Sequence, residues 1–580
     1  MQYLLKLKEK PVLVLVVACV LTLPALFSGW LGNDYIHYAL LHPDIAIPQA
    51  KDWSLFGLFS WVDATPHRTQ VLIDLGVIPW WTYEGFRYQF WRPLAELSHW
   101  LDHALWRDVA LMMHLQSLVW YMGLGAVLYR LYKRVGMQPV AVIAALALYM
   151  WDSTHGLTIG WIANRNAIMA SLFGVLCLLA YLDWRESGAA RSLASSLFWL
   201  LCSLFSGEIG ISTSAYLGAY ALMADKAGPR KALLALWPYV LVCVSWWVLY
   251  KLGNFGANHS DNNYIDPLES PLIFASNVGE RIPVLLLAQF GLIPADVFGF
   301  NPDGMTMFSL VSLLLLVLVF MVLLPVLKQS PMARFWALGC LFAAAPISAT
   351  IPADRNLLMV GIGASALLGM LFEAMLNKLV TSRFVRVGAY ILFAIHLVIS
   401  PLLMPIFSYS PAIWSKLMAL EVNQRMPIES ESDRVLLFGI SMPIALATSP
   451  MRFAHGKTVS DRLWLMSSDA MTFTIRRTGP SRLEILSEKG MINEIEQSVR
   501  DLSRESLKEG QVIKTDGLEL EVEKLDEAGH PTKLALQLDP DHMDDMVIVS
   551  WTGKAFQRSA LPEEGSELVL NLGVGVPSPQ

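Results

Sequence analysis

Residues 11–34 read PVLVLVVACVLTLPALFSGWLGND, an unbroken apolar run of membrane-crossing length that ends on Gly32, Asn33 and Asp34. Lys6, Lys8 and Lys10 precede it. A signal peptide has a shorter apolar region and a small-x-small cleavage site, and neither is evident here, so the run reads as an uncleaved first helix. Working outward, further apolar segments fall near 110–129, 137–151, 165–182, 193–206, 209–224, 232–252, 307–327, 335–351, 356–376 and 387–407. With the first, they predict about eleven spans.

Composition agrees. The 580 residues are 54% hydrophobic and only 16% charged, and the mean hydropathy is +0.46, too apolar for a soluble chain of this size. A net charge of -6 leaves no footprint for nucleic acid. Cys19, Cys177, Cys202, Cys243 and Cys340 all fall in apolar stretches without zinc or disulfide spacing, so they read as small core residues.

Basic clusters occur at alternate junctions: Arg130, Lys133 and Arg134; Arg185 and Arg191; Lys226, Arg230 and Lys231; Lys328 and Arg334; Lys378, Arg383 and Arg386. The positive-inside rule makes these cytoplasmic, with the N-terminus inside and the tail outside. The apolar stretch 282–297, interrupted by Pro294, fits that parity as a re-entrant or interfacial segment. The fold expected is an all-α polytopic membrane domain over 1–409, with an outer loop 32–108, followed by a small β-rich extracytoplasmic domain over 410–580. In that tail 518–522, 534–538, 546–551 and 568–572 read as half-buried strands and 492–502 as a helix.

Once the basic junctions are placed inside, the other polar residues at span ends gather outside. They are Asp34; Asp152, His155, Trp161, Asn164, Arg165 and Asn166; Ser206, Gly207 and Glu208; Asp266; and Asp354 and Arg355. Carboxylates and arginines at membrane ends are costly unless paired or solvated, so their concentration suggests an outward-facing polar cavity. Ordinary interfacial loops are the alternative.

In the outer loop, WRPLAELSHWLDHALW (91–106) puts Leu94, Leu97, Leu101 and Leu105 at helical spacing with Pro93 in the first turn, which predicts an amphipathic helix on the membrane surface. Glu96, His99 and His103 share another face at spacings compatible with metal ligation, although hydrogen-bonded interfacial side chains are the commoner cause. No metal ligand set is assigned, and a divalent metal stays open as a cofactor.

The segment 91–106, followed by MMHLQSLVWY (112–121), is similar to the RPL-containing first loop of the transmembrane tetratricopeptide-repeat O-mannosyltransferases and their bacterial relatives, members of the GT-C superfamily of integral-membrane glycosyltransferases. GWIANRNAIMASLFGVLCLLAY (160–181) resembles their W-I-x-x-R span, and FSGEIG (205–210) their S-K-E segment. The resemblance covers roughly 1–405 and rests on the order of several short motifs. The chain departs from the family in lacking the repeats and in carrying the single acidic residue Asp34 where many relatives have a pair.

The resemblance implies transfer of a sugar from a polyprenyl-phosphate donor to a glycan, lipid or protein acceptor on the outer face, by direct displacement. It implies a carboxylate base, for which Asp34 is best placed, with His37 one turn beyond. Arg92, Arg165 and Arg355 are the candidates to hold the leaving phosphate. Glu208, Glu84, Asp102, His103 and Asn164 are supporting residues, the first three being reserve positions for the base. The partners expected are the lipid bilayer, the donor and the acceptor. The cell location expected is a bacterial inner membrane with the tail periplasmic or extracellular. A non-catalytic envelope scaffold and a transporter or flippase of a lipid-linked substrate are the alternatives; one-sided polar clustering argues against the transporter, which needs groups near midplane.

Overall fold

A computed structural model describes residues 10–42, 56–260, 264–291, 293–299, 304–469, 471–493 and 496–573; Lys6 and Lys8 lie outside them. The chain divides into two compact units. The first comprises 1–30, 91–254 and 265–412, and the second 31–90, 255–264 and 413–580. The outer loop up to residue 90 thus groups with the tail, whereas the surface helix groups with the spans.

The first unit is helical. Among the described residues eight helices are long and apolar enough to cross a membrane: Ala110–Arg134, Pro139–Gly160, Ile162–Ser187, Pro229–Leu252, Pro271–Phe290, Met305–Gln329, Leu358–Leu376 and Arg383–Leu417. Shorter apolar helices are Pro11–Phe27, Ala190–Ser206 and Pro331–Ile347. Proline opens many of them, where its missing N–H is no loss, and Gly188 in the left-handed region (φ +64°) ends the Arg165–Ser187 stretch. Met305–Gln329 leaves Leu310, Leu314 and Phe320 more than half exposed, as a lipid-facing helix does. The chain is an integral membrane protein.

Leu358–Leu376 is the central helix of this unit. Tyr132, Tyr149 and Tyr216 donate their hydroxyls to the carbonyls of Ile362, Leu358 and Met359. A Cβ on Gly369 would lie 2.6 Å from the Ala141 carbonyl oxygen, so the small-residue run GIGASALLG lets neighbouring backbones close in.

Two segments differ from expectation. Residues 209–224, expected as a span, form a 3-10 turn (Glu208–Ser212) and the short helix Thr213–Met223. The turn folds back on its predecessor, for a Cβ on Gly210 would meet the Ser203 carbonyl at 2.5 Å. The segment expected over 282–297 is instead a continuous 20-residue helix, Pro271–Phe290. Its length would cross a bilayer, but both flanks are tied to one junction: the Ile265 N–H donates to the Ala349 carbonyl and the Ala295 N–H to Asp354 Oδ1. Both flanks of this helix therefore hydrogen-bond within one short stretch, 349–354.

Among its described residues the second unit has three sheets. β1 (Ser60–Asp63), β2 (Arg87–Gln89) and β3 (Gly256–Asn258) pair antiparallel. β4 (Arg434–Phe438) and β5 (Arg462–Ser467) are parallel, joined through the helix Met442–Ala454, and lie in the order β12-β11-β4-β5 with β11 (Met546–Trp551) and β12 (Phe556–Ala560). Every residue of β4 and β11 is buried, as parallel strands covered on both faces require, so 546–551 is a fully buried strand rather than a half-buried one. The antiparallel sheet runs β13-β6-β7-β10-β9-β8, from β6 (Thr472–Gly479), β7 (Arg482–Ser487), β8 (Val512–Thr515), β9 (Leu518–Leu525), β10 (Pro531–Leu538) and β13 (Glu567–Asn571). Among the described residues of 492–502, expected as a helix, the helical element is the 3-10 turn Glu496–Val499. Asn493 and Glu496 cap each other reciprocally: the Asn493 N–H donates to Glu496 Oε2, and the Glu496 N–H to Asn493 Oδ1.

Candidate functional site

The amphipathic surface helix Pro93–Trp106 shows its apolar stripe outward: Leu97, Leu101 and Leu105 are exposed, while Glu96, His99 and Asp102 are at most 1% exposed. That is the orientation expected of a helix resting on lipid, and it turns the polar face into the protein. There Ser98 and Asp102, one turn apart, meet Arg165.

Arg165 opens the Arg165–Ser187 helix and is completely buried. Its Nη1 donates to Asp102 Oδ2 (2.5 Å), Ser98 Oγ (2.9 Å) and Gln116 Oε1 (3.3 Å), its Nε to Ser117 Oγ (2.9 Å), and its Nη2 to the Met113 carbonyl (2.6 Å). Guanidinium's fixed fork suits such a convergence of acceptors. Burial pushes the Asp102 carboxyl up, to about 6, against the pull of Arg165. Sequence reading singled out Arg165 and Asp102 separately but not their pairing, nor Ser98, Gln116 and Ser117. The signal available was the helical spacing of Ser98 and Asp102 on the non-leucine face.

Arg92, the residue just before the same surface helix, contacts Glu208 Oε2 through Nε (2.8 Å) and Nη2 (2.7 Å). Tyr250 donates its hydroxyl to the other oxygen of Glu208 at 3.3 Å. The Arg92 and Glu208 side chains keep 16% and 29% of their surface exposed, so this pair, unlike Arg165 with Asp102, remains reachable.

Arg355 lies over the Trp161 ring at 5.2 Å. Its carbonyl accepts from Thr158 Oγ1 at 3.1 Å, and the same hydroxyl accepts from Asn164 Nδ2 at 3.5 Å, which brings Asn164 to this group. The neighbouring Asp354 accepts from the Ala295 N–H, and its own N–H donates to Asp296 Oδ2. Burial, with Asp296 adding to it, holds the Asp354 carboxyl well above the usual range. His103 is half-buried on the surface helix. Among the described residues no group of three or more His, Cys, Asp or Glu side chains is placed to hold a metal ion.

Asp34, His37 and Glu84 belong to the second unit. Asp34 and His37 stand on the helix Asn33–Leu41, both buried. Asp34 Oδ2 accepts from the Leu31 N–H at 3.0 Å, so the carboxylate holds the turn that opens its own helix. The His37 ring packs edge-on against Phe59, with centroids 4.9 Å apart. Next to Asp34, the Tyr35 hydroxyl lies 3.4 Å from both Ser415 Oγ and His455 Nε2, and burial raises its pKa. Glu84 is exposed, and its carbonyl accepts from Thr69 Oγ1.

No family model matches the chain, and no curated protein matches it. Among solved structures it is similar to ArnT from Cupriavidus metallidurans bound to undecaprenyl phosphate, at 11% identity and a TM-score of 0.37, over 77% of this chain and 87% of that one. It is also similar to the oligosaccharyltransferase of Archaeoglobus fulgidus. The complex with zinc and sulfate gives 13% identity and a TM-score of 0.36, over 78% of this chain and 62% of that one. The form tethered to an acceptor peptide with the NVT sequon gives 12% and 0.37, over 79% and 64%. The chain thus spans less than two thirds of the archaeal protein's length. A likeness at these TM-scores carries no argument about chemistry.

Proposed function

We propose that this protein is a membrane glycosyltransferase of the GT-C type that moves a sugar from a polyprenyl-phosphate donor to an acceptor on the outer face of the membrane. The observation that carries the reading is the placement of Arg92: a cation at the start of a lipid-facing surface helix, paired with Glu208 and with 16% of its side chain exposed. A fixed guanidinium beside the headgroup layer is what a lipid phosphate leaving with negative charge requires. The motifs of the sequence add the family's order of RPL loop, W-I-x-x-R span and acidic residue after the first span. In this reading Arg92 and Arg355 hold the phosphate. Arg165 acts through the surface helix, since its five acceptors include Ser98 and Asp102 of that helix. Asp34 is the base that takes the acceptor's proton as its oxygen attacks the anomeric carbon.

Transfer from a polyprenyl-phosphate sugar in proteoliposomes, with donor binding measured separately, tests this. Asp34→Asn keeps the size and the oxygen that accepts from Leu31 while removing basicity, so transfer should vanish while donor binding persists. Arg92→Gln should weaken donor binding about 10- to 100-fold, the equivalent of one charge-assisted hydrogen bond. Near-normal turnover of Asp34→Asn would refute the base, and absence of donor binding by the unaltered protein would refute the transferase in favour of a scaffold or transporter.

A further inference from the structure

Within the first unit, two buried polar atoms have no part in the proposed reaction. His155 is fully buried and Gln289 is 2% exposed. Among the described residues, His155 Nε2 and Gln289 Oε1 have no hydrogen-bond partner. Both point at the same spot: a Cβ built on Gly361 would lie 3.3 Å from the histidine nitrogen and 3.2 Å from the amide oxygen, with the Tyr149 ring at 3.4 Å.

The surrounding bonds fix what these atoms can do. Gln289 Nε2 donates to Asp152 Oδ2 at 2.8 Å, which orients the amide and turns Oε1 toward Gly361. The Tyr121 hydroxyl lies 3.2 Å and 3.3 Å from the carbonyls of Met150 and Tyr149, which can only accept, so its proton goes to them. With the phenol proton on a carbonyl, His155 Nδ1, 3.1 Å from the same hydroxyl, donates to the phenol oxygen and Nε2 carries the lone pair, the tautomer on which the proposal rests. Two acceptors therefore face one point. Asp152 adds no further demand for a cation, for Oδ1 already receives the Thr154 N–H and hydroxyl and Oδ2 the Gln289 amide.

We propose that His155 Nε2, Gln289 Oε1 and the bare Cα of Gly361 form a buried binding site for one water molecule, which donates a hydrogen bond to each acceptor. A neutral double donor of that size matches two neutral acceptors in an apolar surround. The bound water joins Pro139–Gly160 to Pro271–Phe290 across the start of the central helix, and so anchors the end of a helix whose flanks return to one junction. A side chain at Gly361 would crowd both acceptors, since its Cβ would lie 3.3 Å from the histidine nitrogen and 3.2 Å from the amide oxygen.

A water-resolving cryo-electron microscopy map of the whole chain in nanodiscs tests this, together with 15N NMR of histidine-labelled protein. The expected results are one peak at hydrogen-bonding distance from both atoms and His155 as the Nδ1–H tautomer. Gly361→Ala should remove the peak and shift the His155 Nε2 resonance, whereas Gly218→Ala, with open space at its Cβ, should change neither. An absent peak in the unaltered protein, a protonated Nε2, or contacts at cation-ligand distances with added sodium would each overturn the proposal. If Gly361→Ala fails to fold, the unaltered protein's map and tautomer decide the matter.

Discussion

Replacing Arg165 by Met removes the guanidinium that Asp102, Ser98, Gln116, Ser117 and the Met113 carbonyl share. Asp102 and Arg165 are both fully buried, so no water compensates the carboxylate left behind. Breaking such a pair from one side costs about 3–5 kcal/mol, whereas replacing both partners by apolar groups of similar volume is often neutral. Arg165→Met should therefore lose roughly that much stability, and Arg165→Met with Asp102→Leu should recover most of it. The pH dependence has a definite sign. Burial already raises the Asp102 carboxyl to about 6, and without Arg165 it rises further, so the native variant must hold a proton that the unfolded chain releases. Stability of the variant then keeps falling as pH climbs above about 6, where that of the unaltered protein levels off, and the deficit is larger near pH 8 than near pH 5.5. Thermal and denaturant unfolding of the purified protein in one detergent at both pH values gives the measurement. A single variant within about 1 kcal/mol of the unaltered protein, or a double variant whose loss equals the sum of the two single losses, would refute the reasoning.

Glu496, fully buried in the second unit, has its carboxyl pushed up from 4.5 to about 7 by burial, so native protein retains a proton that the unfolded chain gives up. Its contribution is fully present below about pH 4.5 and declines by roughly 3 kcal/mol as pH rises to about 7; a pH series comparing Glu496→Gln should show this slope only with Glu present. Gly369→Val should destabilise the helical unit strongly, because a Cβ meets the Ala141 carbonyl at 2.6 Å, and loss of a monodisperse detergent peak would register it; an unchanged melting temperature would contradict the close packing. Single cysteines at Leu268 and Ile293, both exposed, should react with a membrane-impermeant reagent from the same side of oriented vesicles, and opposite labelling would make Pro271–Phe290 a true crossing.

Hydropathy alone was enough for the membrane-bound class and for most helix positions, because a lipid-facing helix must be apolar over its whole length. The surface helix was equally legible, since the leucine spacing of 94–105 survives whatever it packs on. In the first unit, 209–224 was misread for a local reason and the bounds of the 282–297 segment were missed for a distant one. Gly207 and Gly210 let Glu208–Ser212 fold back on the preceding helix, and Pro271–Phe290 is held by bonds to residues far along the chain, which no window of sequence contains. In the tail, 518–522, 534–538, 546–551 and 568–572 were legible as strands, although β11 is buried on both faces, whereas β4, a fully buried core strand without alternation, and the Met442–Ala454 helix beside it escaped notice. At the candidate site, residue type and position singled out Arg92, Arg165, Glu208 and Asp102. Only tertiary structure decided that Arg165 is sealed among five acceptors while Arg92 keeps 16% of its side chain exposed, because exposure and pairing depend on which helices meet, not on which residues are neighbours in the chain.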